Sequence, residues 1–190
     1  MLKSDEVVEE FKKSLTATIK SIGRSEKIEV NFINEIPSIN GQIINITEPN
    51  IKSLQGNINY IRAEADSMAL EFRFHKKKIH SKYKSQNNTA NQIFNAVEQS
   101  RIEAMGSNAF KGIKYNIFNR HKSDLINSIH EKNNEDEIIK AFRYVSYSEL
   151  TENKLDGNFQ SYQKLVKKRL GNKYKKIFFD LKNNISNQED

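Results

Sequence analysis

The residues best equipped for chemistry lie in two stretches of the chain. The first is His75-Lys76-Lys77-Lys78-Ile79-His80-Ser81-Lys82-Tyr83-Lys84, which sets two imidazoles five positions apart. Helical metal pairs use i,i+3 or i,i+4 spacing, which brings both rings to one face. Five residues turn a helix by about 500°, so on a straight helix the rings stand about 140° apart. A shared metal therefore requires the helix to break between them, and the intervening lysines disfavour a cation. His75 also follows Phe72 by three and Met68 by seven. It extends an apolar stripe, which reads it as a hydrogen-bonded core histidine. The lysines Lys76, Lys77, Lys78, Lys82 and Lys84, with Tyr83, form a basic cluster suited to docking an acidic partner surface or an anionic ligand, or otherwise a solvated helix end.

The second stretch is Phe94-Asn95-Ala96-Val97-Glu98-Gln99-Ser100-Arg101-Ile102-Glu103-Ala104-Met105-Gly106. Phe94, Glu98 and Ile102 form one i,i+4 row, and Val97, Arg101 and Met105 form its neighbour. Glu98 and Arg101 thus sit within an apolar stripe. An isolated buried charge is too costly, so both must be paired. They can meet each other, or groups on the preceding helix, where Arg62, Asp66 and His75 are candidates. The reading is a structural ion pair, Glu98 with Arg101, clamping two helices. The sharper alternative is a metal site built from His75, His80 and Glu98 or Glu103, since divalent metals accept imidazole and carboxylate together.

The elements that must position these groups follow from periodicity. Val7, Val8, Phe11, Leu15, Ile19 and Ile22 trace one face of a helix over about 5–22, with Ser4 or Asp5 able to cap it and Gly23 at its C′ position. Lys27 to Phe32 alternates and reads as a strand. Asn40-Gly41 is a turn, Gln42 to Ile46 is the returning strand, and Pro49 bars continuation. From Ile51 the pattern is helical, with a stripe from Ile58 through Ile61, Ala65, Met68 and Phe72. Further helices are predicted over about 89–105, stopping at Gly106, and over 109–130, 135–150, 159–170 and 174–185. Lys132 to Glu137 reads as a loop entering a helix. The expected fold class is mainly α, a multi-helix bundle with a small N-terminal β-hairpin.

Composition narrows the function. The chain has 190 residues, 31 Lys+Arg, 24 Asp+Glu and no Cys, which excludes disulfides, thiolate zinc sites and a cysteine nucleophile. No apolar run approaches the ~20 residues that span a bilayer. The N-terminus turns acidic at once, without the apolar core of a secretory signal. The expectation is a soluble, cytoplasmic protein with no membrane partner. Lys (24), Asn (23) and Ile (23) dominate, the mark of an AT-rich coding sequence, so part of the basic balance reflects codon usage. Residues 61–130 hold 12 basic and 6 acidic groups. That excess raises nucleic-acid binding as an alternative, but no RNA-binding aromatic motif or helix-turn-helix accompanies it. A second basic run, from Lys164 to Lys176, reads as the outer face of amphipathic helices. There is no GxxxxGK[ST], DxSxS, GxSxG or GxGxxG motif, and no catalytic constellation is recognisable.

Three segments carry a family resemblance. They are Arg62-Ala63-Glu64-Ala65-Asp66-Ser67-Met68-Ala69-Leu70, then His75 with His80-Ser81-Lys82-Tyr83, then Ala96 to Gly106. In order and spacing they resemble the N-terminal region of CobT, a subunit of aerobic cobaltochelatase. Phe11 to Ile22 and, more loosely, Ala141 to Thr151 extend the likeness over most of the chain. The resemblance implies a subunit of the ATP-dependent enzyme that inserts cobalt into hydrogenobyrinic acid a,c-diamide in aerobic cobalamin biosynthesis. It implies a ring-shaped hetero-oligomer with an AAA+ ATPase subunit and a large corrin-binding subunit, the complex using ATP, Mg²⁺ and Co²⁺. It implies no catalytic residue and no cofactor held by this chain. Residues 1–190 correspond to the N-terminal domain alone; the family's acidic linker and C-terminal von Willebrand factor A domain do not appear, so a truncated form is expected. A stand-alone divalent-metal-binding module is the other alternative.

Overall fold

The computed structural model describes residues 4–127, 135–157 and 159–189. It is mainly α-helical with a small three-stranded sheet near the N-terminus. The described residues form two compact units. The first takes those within Met1–Phe74 together with Tyr115–Arg120, and the second takes those within His75–Lys114 and His121–Asp190.

In the first unit, α1 (Ser4–Gly23) packs on α3 (Ile58–Phe74), with the short α2 (Ile51–Gly56) between them in sequence. The sheet has the order β1 (Glu29–Ile33), β3 (Ile43–Thr47), β2 (Ser38–Asn40). A hairpin is present, turning at Asn40-Gly41, where Gly41 takes φ 62°, but the strand entering the turn is β2. The strand read over Lys27–Phe32 pairs with β3 in parallel, Glu29 opposite Ile43 and Ile33 opposite Thr47. The short β2 makes the reversal, which frees the other edge of β3 for β1. Ile44 and Ile46 project from β3 into the core with Leu15, Ile19, Ile28 and Leu70, all at most 4 % exposed. Glu64 of α3 fixes the sheet's end by accepting the Thr47 N–H at 2.8 Å and its hydroxyl at 3.0 Å.

The end of α1 corrects one expectation. The left-handed residue is Arg24, at φ 52°, rather than Gly23. Gly23 is closely packed: a Cβ there would press on the terminal methyl of Ile28, which would have to shift, and on the Phe72 ring.

In the second unit, α5 (Asn88–Ala109) lies along α7 (Glu135–Thr151), and α8 (Phe159–Leu170) and α9 (Tyr174–Asn183) pack on α7. A 3₁₀ turn at Gly171–Lys173 joins α8 to α9, and α4 (Lys77–Lys82) opens the unit. Ile102, Ala141, Val145, Leu150, Tyr162 and Val166 fill its core. The helix predicted to stop at Gly106 runs on to Ala109, because Gly106 is buried and keeps helical geometry. The helix expected over 109–130 is seen as α6, Lys111–Asn127. Its last predicted residues, and the start of the loop read at Lys132, lie outside the described residues, while Glu135 to Glu137 already belong to α7.

Candidate functional site

The polar residues singled out from sequence divide into two clusters on α5. Glu98 and Glu103 are five positions apart, so on a helix their side chains leave α5 about 140° apart.

Around Glu98, Arg101 binds the carboxylate in a fork, Nε donating to Oε2 at 2.7 Å and Nη2 to Oε1 at 2.9 Å. His75 Nδ1 donates to Oε1 at 2.9 Å. The remaining Arg101 nitrogen, Nη1, donates to the backbone carbonyl of Ile185 at 2.8 Å. Gln188 closes the cluster, its side-chain oxygen accepting the Lys76 N–H at 2.7 Å. The clamp therefore ties α5 to the link between α3 and α4 and to the segment after α9. This corrects the expectation of a clamp to a preceding long helix. Of the three candidate partners, His75 is the one that meets Glu98. Burial pushes the Glu98 carboxyl up, but Arg101 and His75 outweigh it and hold it below the ordinary carboxylate range.

The helix does break between the two histidines. α3 ends at Phe74, Lys76 is extended at φ −102° and ψ 96°, and α4 begins at Lys77. The break brings the rings of His75 and His80 to 4.8 Å between centroids, edge to face. His80 stacks on Phe94 at 4.4 Å, donates from Nε2 to Asn95 Oδ1 at 2.7 Å, and leaves Nδ1 buried without a hydrogen-bond partner. Straight-helix geometry therefore does not govern this pair. Glu103, however, belongs to the other cluster, so the four residues weighed as metal ligands do not converge. Among the described residues, no group of three or more His, Cys, Asp or Glu side chains is placed to hold a metal ion.

Around Glu103, which is 1 % exposed, the partners are Arg143 Nη2 at 2.5 Å and His121 Nε2 at 2.9 Å. Arg143 Nη1 also donates to Ser100 Oγ at 2.9 Å. The rings of Tyr144 and Tyr147 lie 5.3 and 4.6 Å from His121, and the Tyr147 hydroxyl meets Ser107 Oγ at 2.9 Å. Burial opposes ionisation of Glu103, yet Arg143 and His121 hold its carboxyl well below the ordinary range. Burial pushes the Tyr147 phenol up to about 12. Sequence reasoning missed His121, Arg143 and Tyr147. The signal was half present: a glutamate beside Ile102 on a core face demands a cation. Which cation of α6 or α7 answers it is not encoded in local spacing.

Asp66, in the first unit, is 3 % exposed and accepts from Asn116 Nδ2 at 2.8 Å. Burial raises its carboxyl to about 6, against the hydrogen bond from Asn116 and the attraction of Arg62. The docking lysines Lys76, Lys77, Lys78, Lys82 and Lys84 are all exposed, with Lys82 3.7 Å from Glu189. No described helix is long and apolar enough to cross a membrane.

These carboxylates are engaged inside the fold by cations or an amide. The arrangement holds elements together.

No solved structure matches the chain. The sequence pattern of one family does, described as cobalamin biosynthesis protein CobT, and it covers residues 5–190. The motif residues Ala63, Ala65 and Ala69 are buried along α3, and Glu98, Arg101 and Glu103 form the ionic centres of α5. The chain belongs to the CobT family of cobalamin biosynthesis proteins.

Proposed function

We propose that this chain is an assembly domain of the ATP-dependent cobaltochelatase, the complex that forms the nitrogen–cobalt bonds of hydrogenobyrinic acid a,c-diamide. In this reading it contacts the AAA+ ATPase subunit within a ring-shaped hetero-oligomer that also engages the large corrin-binding subunit. ATP, Mg²⁺ and the cobalt being inserted are handled by the complex, and this chain performs no bond-making step. The observation that carries the reading is the family match over residues 5–190. It is supported by the chemistry of the buried acids: Glu98 and Glu103 are engaged by Arg101, His75, Arg143 and His121. Groups so engaged give rigidity rather than turnover.

The test is co-purification of the folded chain with its cognate ATPase subunit, followed by a cobalt-insertion assay with and without the chain. Retention, and insertion that depends on the chain, is expected. Failure of the folded chain to be retained overturns the reading.

One observation favours a second reading, a divalent-metal module: the 4.8 Å approach of the His75 and His80 rings. Titration calorimetry with Co²⁺ separates the two. A binding isotherm abolished by His75→Ala with His80→Ala supports the module, and a flat isotherm removes it.

A further inference from the structure

From Gly157 to Phe179 the sequence contains no Asp or Glu, while Lys164, Lys167, Lys168, Arg169, Lys173, Lys175 and Lys176 all fall inside that span. Each of these cations is exposed. The inward faces are settled: Phe159, Tyr162 and Val166 of α8 and Tyr174 and Phe178 of α9 are buried. Lys167 Nζ lies over the Tyr174 ring, 5.4 Å from its centroid, so the cations of the α8 C-terminus and the α9 N-terminus crowd around the Gly171 corner. Lys168, Lys173 and Lys175 make no ion pair among the described residues.

Phe179 sits on this surface and is 65 % exposed. Helical spacing puts Lys176 and Lys175 three and four residues before it and Lys182 three residues after, so the ring projects among ammonium groups, of which Lys176 is paired with Asp180 and Lys182 with Glu152, while Lys175 is not paired among the described residues. Folding does not account for it, because the core-facing aromatics of α9 are Tyr174 and Phe178. An exposed phenyl ring inside a cationic rim has the form of an interface anchor: a ring that fills a pocket, surrounded by charges that orient the partner.

We infer that the outer face of α9, with Phe179 as anchor and Lys168, Lys173, Lys175 and Lys176 as rim, docks an acidic protein surface that offers an apolar pocket. Charge complementarity favours carboxylates on the partner: Asp180, paired with Lys176 at 2.7 Å, is the one acid on α9, and it leaves Lys168, Lys173 and Lys175 in excess. A nucleic-acid strand fits less well. Strand-binding sites stack successive bases on successive rings, and here there is one ring. The inference rests on the reading of this chain as an assembly subunit and assigns the surface by which it docks, in place of the lysine cluster from Lys76 to Lys84.

The experiment measures the affinity of the full chain for its cognate ATPase subunit at low and at moderate salt. Three variants are compared: Phe179→Ala, Lys175→Glu with Lys176→Glu, and Lys76→Glu with Lys77→Glu. All the altered side chains are exposed, so circular dichroism should not change, and melting should shift only slightly, by the small worth of the Lys176–Asp180 surface pair. Phe179→Ala is expected to weaken binding at least tenfold. The Lys175/Lys176 reversal is expected to weaken it as much and to flatten its salt dependence, while the Lys76/Lys77 reversal leaves it within twofold. Wild-type binding with the α9 variants unaffected, or with the loss confined to Lys76/Lys77, overturns the docking surface and leaves the assembly reading intact. Absence of wild-type binding removes both. Binding of a labelled single-stranded RNA that is lost in the same α9 variants reassigns the face to nucleic acid and overturns the proposal.

Discussion

The two units of this protein bury carboxyl groups under opposite electrostatic regimes. In the first, Asp66 is held by an amide, Asn116, and burial raises its carboxyl to about 6. In the second, Glu98 and Glu103 are held by guanidinium and imidazole, and both carboxyls fall below the ordinary range. The comparison teaches that burial alone does not fix the sign of a carboxylate's contribution; the partner does. Linkage turns this into opposite pH responses. A depressed carboxyl in the folded state adds stability above its unfolded value and loses it as pH falls through the folded one. Glu98 and Glu103 therefore weaken the second unit in acid. A raised carboxyl stabilises fully below the unfolded value and loses that contribution as pH rises through the folded one. Asp66 therefore weakens the first unit between about pH 4 and pH 6.

The largest effect belongs to Glu103. Glu103→Ala takes the carboxylate from both Arg143 and His121 at a site 1 % exposed, and a loss near the top of the ~3–5 kcal/mol range for a broken buried pair is expected, although Arg143 keeps its hydrogen bond to the Ser100 hydroxyl. Urea unfolding measures it. Glu98→Ala comes next, at about 3 kcal/mol, because its site is 8 % exposed against 1 % at Glu103. A larger loss at Glu98 than at Glu103 would break the ranking and show that the segment after α9 seals its cluster more tightly than exposure indicates.

Asp66→Asn has the opposite sign and sharpens the comparison. The Asn116 donor keeps an oxygen acceptor, and no charge is buried. A raised carboxyl costs about 1.4 kcal/mol per pH unit, so a gain of about 1–2 kcal/mol is expected at pH 7, fading towards pH 4. Melting curves from pH 4 to pH 8 decide it. A variant less stable than the parent at pH 7 would mean that the ionised Asp66 is paired with Arg62 strongly enough to be worth keeping.

How much of this was legible in the sequence depended on whether the interaction was local. Glu98 and Arg101 are three apart on one helix, and the apolar rows around them force a pair. The helices follow from 3.6-residue periodicity, and the family motifs pointed to cobalamin biosynthesis. What failed was non-local. His75 and His80 meet because the helix breaks at His75 and Lys76, with Lys76 extended, and no apolar pattern marks that break. Glu103 needs cations from α6 and α7, which local spacing does not select. The parallel pairing of β1 with β3 arises from the three-residue β2, shorter than periodicity can register. Gly106 reads as a stop but serves as a small residue inside a packed helix.

The smallest predicted effect probes why the Glu98 cluster differs from the sealed one at Glu103. Its outer wall is the short segment after α9, which holds Lys76 through Gln188 and Arg101 through the Ile185 carbonyl. Gln188→Ala removes one short hydrogen bond, to the Lys76 N–H, and two long ones, to the Lys76 carbonyl and His75, at a half-buried site, so global stability should fall by about 1 kcal/mol. The Lys76 amide loses its acceptor, and its hydrogen exchange should quicken about tenfold, while the amides of α5 around Glu103 stay protected. Local opening at Lys76 without loss at Glu103 would show that the two clusters, five residues apart on one helix, open independently. Equal acceleration at both would mean that α5 moves as one body and that the segment after α9 governs the whole unit.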